Sequence, residues 1–303
     1  MRAVLSLLSC CFALSVFTPA FAYERITLLI GNPSGPGSEF ISEFKRQLSD
    51  RGVRQVTVRQ MSEAGQPAAD KGVLLVAVGV QALQHAASQK GNQPVLGVLI
   101  PQPAFEKIRA SAVNSNISAI LLDQPPARQM RLLHKLLPHA DSVGILLGPT
   151  SARNNGSLAR SAHDNGLKPT MATIQAESEL TPALKPLLET SSALLAVPDP
   201  LVHQPGTAQT MLLTSYRYQK PVIGYSQAYV TAGALAAVYS SPGNIARQAA
   251  EIADAYPDRH AALPSPQPPR YFSVGINRQV ARSLGIEVMD EESLMKALTK
   301  EEH

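Results

Sequence analysis

The sequence contains no tryptophan, and only 5% of its residues are aromatic. That weakens any recognition built on stacking rings against sugars or bases. Its two cysteines, Cys10 and Cys11, are adjacent and close to the N-terminus. Once that leader is removed, disulfides, thiolate catalysis and cysteine metal sites are excluded. No run of five like charges occurs, and the formal excess is only +4 in 303 residues. A nucleic-acid-binding stripe is therefore not expected. The histidines at 85, 134, 139, 163, 203, 260 and 303 lack the spacing of a metal site. Gly224-Tyr225-Ser226-Gln227-Ala228 has the first glycine and the serine of a nucleophile elbow but not its second glycine. Neither a cofactor nor an enzymatic role is expected from these residues.

The first 22 residues read as an export signal. Arg2 supplies a short positive start, residues 3–17 are apolar, and Pro19-Ala20-Phe21-Ala22 ends in a small-x-small cleavage pattern. Cleavage after Ala22 leaves Tyr23 as the first mature residue and places the protein in the periplasm. No further apolar run of membrane-spanning length follows. With 45% apolar and 17% charged residues in the full sequence, the chain is globular and long enough for about two lobes.

The mature chain alternates short apolar runs with helical patterns. Strands are expected at 26–30, 53–58, 73–78, 95–100 and 117–122. A second set follows at 143–147, 169–174, 193–197 and 221–225, with single strands at 235–239 and 271–276. Helical spacing is clearest at 40–48, 126–137, 152–165, 180–188, 207–218 and 244–256. Continuous apolar strands between helices imply parallel sheets buried on both faces. The proline-rich stretch 257–270 is an extended connector. Two βα series followed by single returning elements imply several crossings between lobes, and so a hinge.

Several segments carry a family resemblance. Residues 73–83 hold an apolar strand, Gly79 and a helix start. Residues 132–147 run from leucines through Pro138 to Val143-Gly144-Ile145-Leu146. Lys220-Pro221-Val222-Ile223-Gly224 is followed by Ala232-Gly233-Ala234-Leu235. Ile245 to Ala250, Ile276-Asn277 and residues 281–286 close the series. In this order the chain resembles the exported substrate-binding proteins of ABC transporters, in the family that includes tryptophan/tyrosine binding proteins. The resemblance spans roughly residues 25–288.

It implies an α/β fold with two Rossmann-like lobes, of the periplasmic binding protein type I kind. The first lobe would hold residues 23–122 and about 236–268, the second 123–235 and about 269–303. The implied role is capture of a small solute between the lobes and delivery to an ABC permease, by a monomer. The alternative is a periplasmic sensor or adaptor that signals to a membrane receptor. Relatives commonly carry Asp-Pro after the fourth strand, whereas this chain has Pro101-Gln102-Pro103. Where relatives have a small hydroxyl residue after the Gly79 turn, it has Val80.

Site candidates come from strand ends, where such folds bind ligands. Ser34 and Ser38 lie in a glycine-rich turn that can offer amides to an anion, and Ser38 is equally placed to cap a helix. Gln81 and Gln102 follow the third and fourth strands and can donate and accept. Asp123 sits at the first crossing, as a ligand contact or as a cap for the helix at Pro126. Thr150 and Ser151 either face the cleft or cap the Ala152 helix. Asp199, in Pro198-Asp199-Pro200, is a rigidly held carboxylate suited to an ammonium, or a plain turn. Ser226, Gln227 and Tyr229 follow the ninth strand.

Overall fold

The computed structural model describes residues 26–31, 34–53, 56–61, 73–256 and 263–301. The expected leader, Tyr23, Pro257 and two of the histidines (His260 and His303) lie outside them. Among the described residues, no helix is long and apolar enough to cross a membrane.

The first series runs β1 (Ile26–Ile30), α1 (Pro36–Asp50), β2 (Val56–Gln60), β3 (Leu74–Val78), α2 (Val80–Ser88), β4 (Val95–Ile100), α3 (Gln102–Ala110) and β5 (Ile117–Leu121). Its strands form a parallel sheet in the order β2-β1-β3-β4-β5. The second series begins with α4 (Pro126–Leu136), β6 (Ser142–Leu147), a 3-10 turn (Ser151–Asn154), α5 (Asn155–Asp164) and β7 (Lys168–Thr173). It continues through α6 (Leu180–Thr190), β8 (Ala193–Leu195), α7 (Pro205–Arg217), β9 (Val222–Gly224), α8 (Gln227–Ala232) and β10 (Ala236–Tyr239). After β10 come α9 (Pro242–Ala255), β11 (Ser273–Ile276), α10 (Arg278–Ser283) and α11 (Glu291–Lys300). The second sheet has the order β11-β10-β9-β8-β6-β7, and only β11 is antiparallel.

Both sheets are covered on both faces, which is why β1, β3, β5 and β6 are buried along their whole length. In the first lobe α1 and α9 cover one face, and α2 and α3 the other. In the second, α4, α5 and α11 lie opposite α6, α7 and α8. The edge strand β2 alternates in exposure instead.

The chain returns to the first lobe at α9. Phe40, Phe44 and Leu48 of α1 pack on Ile245, Ala246, Ala249 and Ala253 of α9, whose alanines let the helices approach. Each large side chain buried there contributes roughly 1.5–3 kcal/mol. The expected boundary near residue 236 is corrected: β10 hydrogen-bonds to β9 and β11 in the second sheet, so α9 begins the return. The described part of the proline connector, from residue 263, then lies along β5. Gln267 bridges to Ile120, with Leu121 N–H donating to the Gln267 carbonyl at 3.0 Å. Its flanking prolines have no N–H to extend pairing further.

Three crossings join the lobes: 122–125, 240–241 and 268–272. A buried polar network ties them together. Arg128, 3% exposed, donates Nη1 to Gln124 Oε1 at 2.6 Å and to the Pro269 carbonyl at 3.0 Å. Its guanidinium lies 4.1 Å over the Phe272 ring. Gln124 Nε2 donates to Ser240 Oγ at 2.9 Å, and Ser240 Oγ donates to the Tyr271 carbonyl at 2.6 Å. Gln248, fully buried on α9, accepts from Arg270 N at 2.7 Å.

Replacing Arg128 by methionine strands the Gln124 and Pro269 oxygens away from water. The expected loss is roughly 2–4 kcal/mol, read as a lower urea midpoint. An unchanged midpoint would contradict the network's role.

Candidate functional site

The carboxyl ends of both sheets face one another. α3, which follows β4, meets the turn that follows β6: Arg153 Nη1 lies 2.6 Å from Glu106 Oε2. The loops after β1, β3, β4 and β5 therefore form one wall of an interlobe cleft, and those after β6, β8 and β9 the other.

On the first wall the Pro101-Gln102-Pro103 segment is a helix start. Pro103 occupies the first turn of α3, where a missing N–H costs nothing. Asp123 accepts from the Gln102 N–H at 2.5 Å. The expected alternative, a cap on the following helix, is corrected: α4 starts after Pro125 with no side-chain cap. Burial raises the Asp123 pKa, against the lowering effect of the Gln102 amide. Gln102 Nε2 in turn donates to Glu106 Oε1 at 2.8 Å.

β4 reaches this point through a strained bulge. Its register shifts between Gly97 and Ile100, and Leu99 has φ 57°. The Ile100 side chain folds back over Gly97, where a Cβ would come within 2.7 Å of Ile100 Cδ1. The same Cβ would lie 3.0 Å from Leu83 Cδ2.

Ser34 and Ser38 are exposed at the start of α1. The capping role considered for Ser38 is corrected: α1 begins at Pro36, and Ser38 lies within its first turn, donating to the Gly35 carbonyl at 2.8 Å. Gln81 is exposed in the first turn of α2. It lies over Gly31 and lines a cavity of about 350 Å³ with Met61, Gln84, His85 and Ser88.

On the opposite wall Asp199 is 4% exposed and fully engaged. Oδ2 accepts from Thr150 N (3.1 Å), Ser151 N (2.8 Å) and Ser151 Oγ (2.9 Å). Oδ1 accepts from Leu201 N (2.9 Å) and Val202 N (3.4 Å). The Asp199 carboxylate therefore staples the β6 loop to the β8 loop, and the expectation that it awaits an ammonium is corrected. Gly148 passes against it so closely that a Cβ would sit 2.2 Å from Oδ1. Burial pushes the Asp199 pKa up, but the Ser151, Leu201 and Val202 donors outweigh it and hold the carboxyl below its ordinary value. Thr150 and Ser151 do not cap the helix at Ala152. That segment is a 3-10 turn, and α5 begins at Asn155.

Ser226 caps α8, accepting from Tyr229 N at 3.2 Å. Exposed Gln227 accepts from Tyr239 Oη at 2.8 Å, its amide lying over Gly275. Tyr229 is buried, its Oη 2.8 Å from His203 Nδ1. His203, Tyr225 and Tyr229 form a ring cluster with centroids 5.1–5.3 Å apart. Burial lowers the His203 pKa to about 4 and raises those of both tyrosines, so the cluster is neutral at physiological pH. It walls a cavity of about 550 Å³ between α7 and α8, with Leu212 and Ala228.

The structure thus brings Gln102 and Asp123 together on one wall, Thr150, Ser151 and Asp199 on the other, and Ser226 and Tyr229 beside them. Sequence reasoning missed Glu106, Arg153 and His203. Glu106 stands four residues after Gln102, one helical turn on, which was legible once a helix was seen there.

The model of the family described as "ABC transporter substrate binding protein" matches residues 53–299. The chain belongs to the ABC transporter substrate binding protein family. No curated protein sequence matches it. Among solved structures it is similar to a ligand-free, open substrate binding protein with adhesive properties from Clostridium difficile. That pair is 18% identical with TM-score 0.69, covering 88% of this chain and 96% of the other. It is also similar to an ABC domain in complex with L-Trp from Streptococcus pneumonia (18% identity, TM-score 0.56, 90% and 98% covered). A conserved domain protein from Vibrio cholerae gives 18% identity and TM-score 0.56 over 90% and 96% of the two chains. At this identity the likenesses bear on the fold alone. They agree with the two-lobed α/β architecture described above.

The Asp199 staple has a pH signature. Its folded-state pKa lies below the ordinary 3.8. Its stabilisation is therefore complete above that value and is lost as pH falls through and below it. In urea unfolding between about pH 2.5 and 6, the wild type should lose stability relative to Asp199→Asn only at the acid end. Parallel profiles would refute the staple.

Proposed function

We propose that the protein is an exported solute-binding protein that closes its two lobes on a small molecule and delivers it to an ABC permease. The family match supports the solute-binding role. The observation that carries the reading is the pair of facing strand-end walls joined by a three-crossing hinge, a geometry in which rotation of one lobe opens or shuts the site. Export rests on the leader ending at Ala22, which would put the mature chain in the periplasm; the family resemblance suggests a monomer there. Among the described residues, the first lobe then comprises those within 26–122 and 242–268, and the second 123–241 and 269–301.

The polar side chains proposed to face a solute are Ser34, Ser38 and Gln81 on one wall, with Gln102 at the base of α3. Thr150, Arg153 and Gln227 stand on the other. The Streptococcus structure, which holds L-Trp, makes aromatic amino acids the first class to test. Asp199 would support the site by holding Thr150 and Ser151 in place, without touching solute. The sensor alternative shares this cleft and differs only in the membrane partner. Its motivation, the altered segment at Gln102, is weakened because that segment is an ordinary helix start held by Asp123.

Thermal-shift screening of residues 23–303 against aromatic and branched amino acids, purines, small carboxylates and oligosaccharides tests the proposal. A cognate solute at 100 times its Kd should stabilise the protein by about 2.7 kcal/mol. Gln81→Ala should then weaken binding about two- to tenfold by calorimetry, the range for one hydrogen bond. A folded protein that responds to no class would overturn the solute-binding reading.

A further inference from the structure

The ion pair between Glu106 and Arg153 differs from the other lobe-to-lobe contacts described above. Those sit at the hinge, where they persist whatever the angle between the lobes. This one joins α3 of the first lobe to the turn after β6. In the second sheet β6 is separated from the hinge strand β10 by β9 and β8. It spans the cleft, so opening must break it.

Both partners are held ready before they meet. Glu106 Oε1 takes the Gln102 amide from one turn earlier on its own helix, leaving Oε2 for Arg153. Arg153 anchors Nε on the Thr150 carbonyl at 3.0 Å, leaving Nη1 to cross the cleft. Both anchors continue inward, Gln102 to Asp123 and the Thr150 amide to Asp199. Such preorganisation reduces the side-chain entropy lost when the pair forms. Both side chains keep nearly half their surface in solvent, 42% for Glu106 and 48% for Arg153. Salt therefore reaches them, and the pair is too weak to lock the lobes.

We infer that Glu106 and Arg153 form an electrostatic latch across the cleft, which biases the empty protein toward closure and makes that bias depend on ionic strength. This rests on the hinge reading of the fold but not on any particular solute. A weak latch raises the share of the closed form before solute arrives, and so the apparent affinity. It also leaves the cleft able to reopen. The change expected in the closed-to-open ratio is about two- to fivefold, the range of an exposed ion pair.

The test uses the empty protein. Dyes on cysteines introduced at exposed Gln84 and Gln209 report the distance between the lobes by energy transfer. Glu106→Gln and Arg153→Gln should each lengthen the mean distance, and added NaCl should lengthen it in the wild type but hardly in either variant. The charge-swapped pair, Glu106→Arg with Arg153→Glu, should restore both the shorter distance and its salt dependence. If distances are indifferent to salt and to both single variants, there is no latch. If the swap fails to restore closure in a protein of unchanged unfolding midpoint, the single-variant effects come from something other than the pair. A solute screen without hits would leave either outcome readable, because no solute enters the measurement.

Discussion

Arg128 is the buried charge on which the joint between the lobes depends. It satisfies Gln124 in the first crossing, the Pro269 carbonyl in the third, and the face of Phe272 just beyond it. Gln124 passes the connection to Ser240 in the second crossing. A guanidinium suits this position because its planar fork reaches several acceptors at once and its face rests on a ring. The three segments are thereby held side by side. They form a common base for the proposed rotation between the lobes, which a single flexible tether would not enforce.

Above that base, each wall of the cleft is organised by one aspartate acting on backbone amides. Asp123 fixes the start of α3, and Asp199 binds the turn after β6 to the loop after β8. Asp199 is buried and Asp123 partly buried, and amide donors hold each in place. For Asp199 those donors outweigh the cost of burial. A carboxylate with its lone pairs taken in this way is poor at recruiting a ligand cation and good at keeping a wall rigid. In the proposed solute-binding role, recognition falls to the polar side chains around it. Glu106 and Arg153 supply opposite charges that neutralise one another when the walls meet.

Much of the fold was readable residue by residue. The mainly apolar runs at 26–30, 73–78 and 117–122 announced strands covered on both faces, and β1, β3 and β5 lie within them, buried along their length. Less was readable where a local signal has two meanings. Pro101-Gln102-Pro103 looks like a loop, yet proline is equally at home in the first turn of a helix, and Asp123 decides between the two. Ser38, Thr150 and Ser151 have the chemistry of helix caps but stand a few residues from where their helices begin. Strand 235–239 was assigned to the wrong lobe because a strand's partners leave no mark in its own residues.

The sequence by itself determined the α/β alternation, the doubling of the βα series and the polar strand ends. Each of these follows from hydrophobic period and turn chemistry within a window of a few residues. Only the tertiary structure decided that Asp199 also takes the amides of Thr150 and Ser151, 49 and 48 positions away. It also paired Glu106 with Arg153 and set Arg128 among three crossings. Those outcomes depend on sheet order and on how the two lobes meet. A side chain's solvent, partners and charge balance are properties of the neighbours that the fold brings to it.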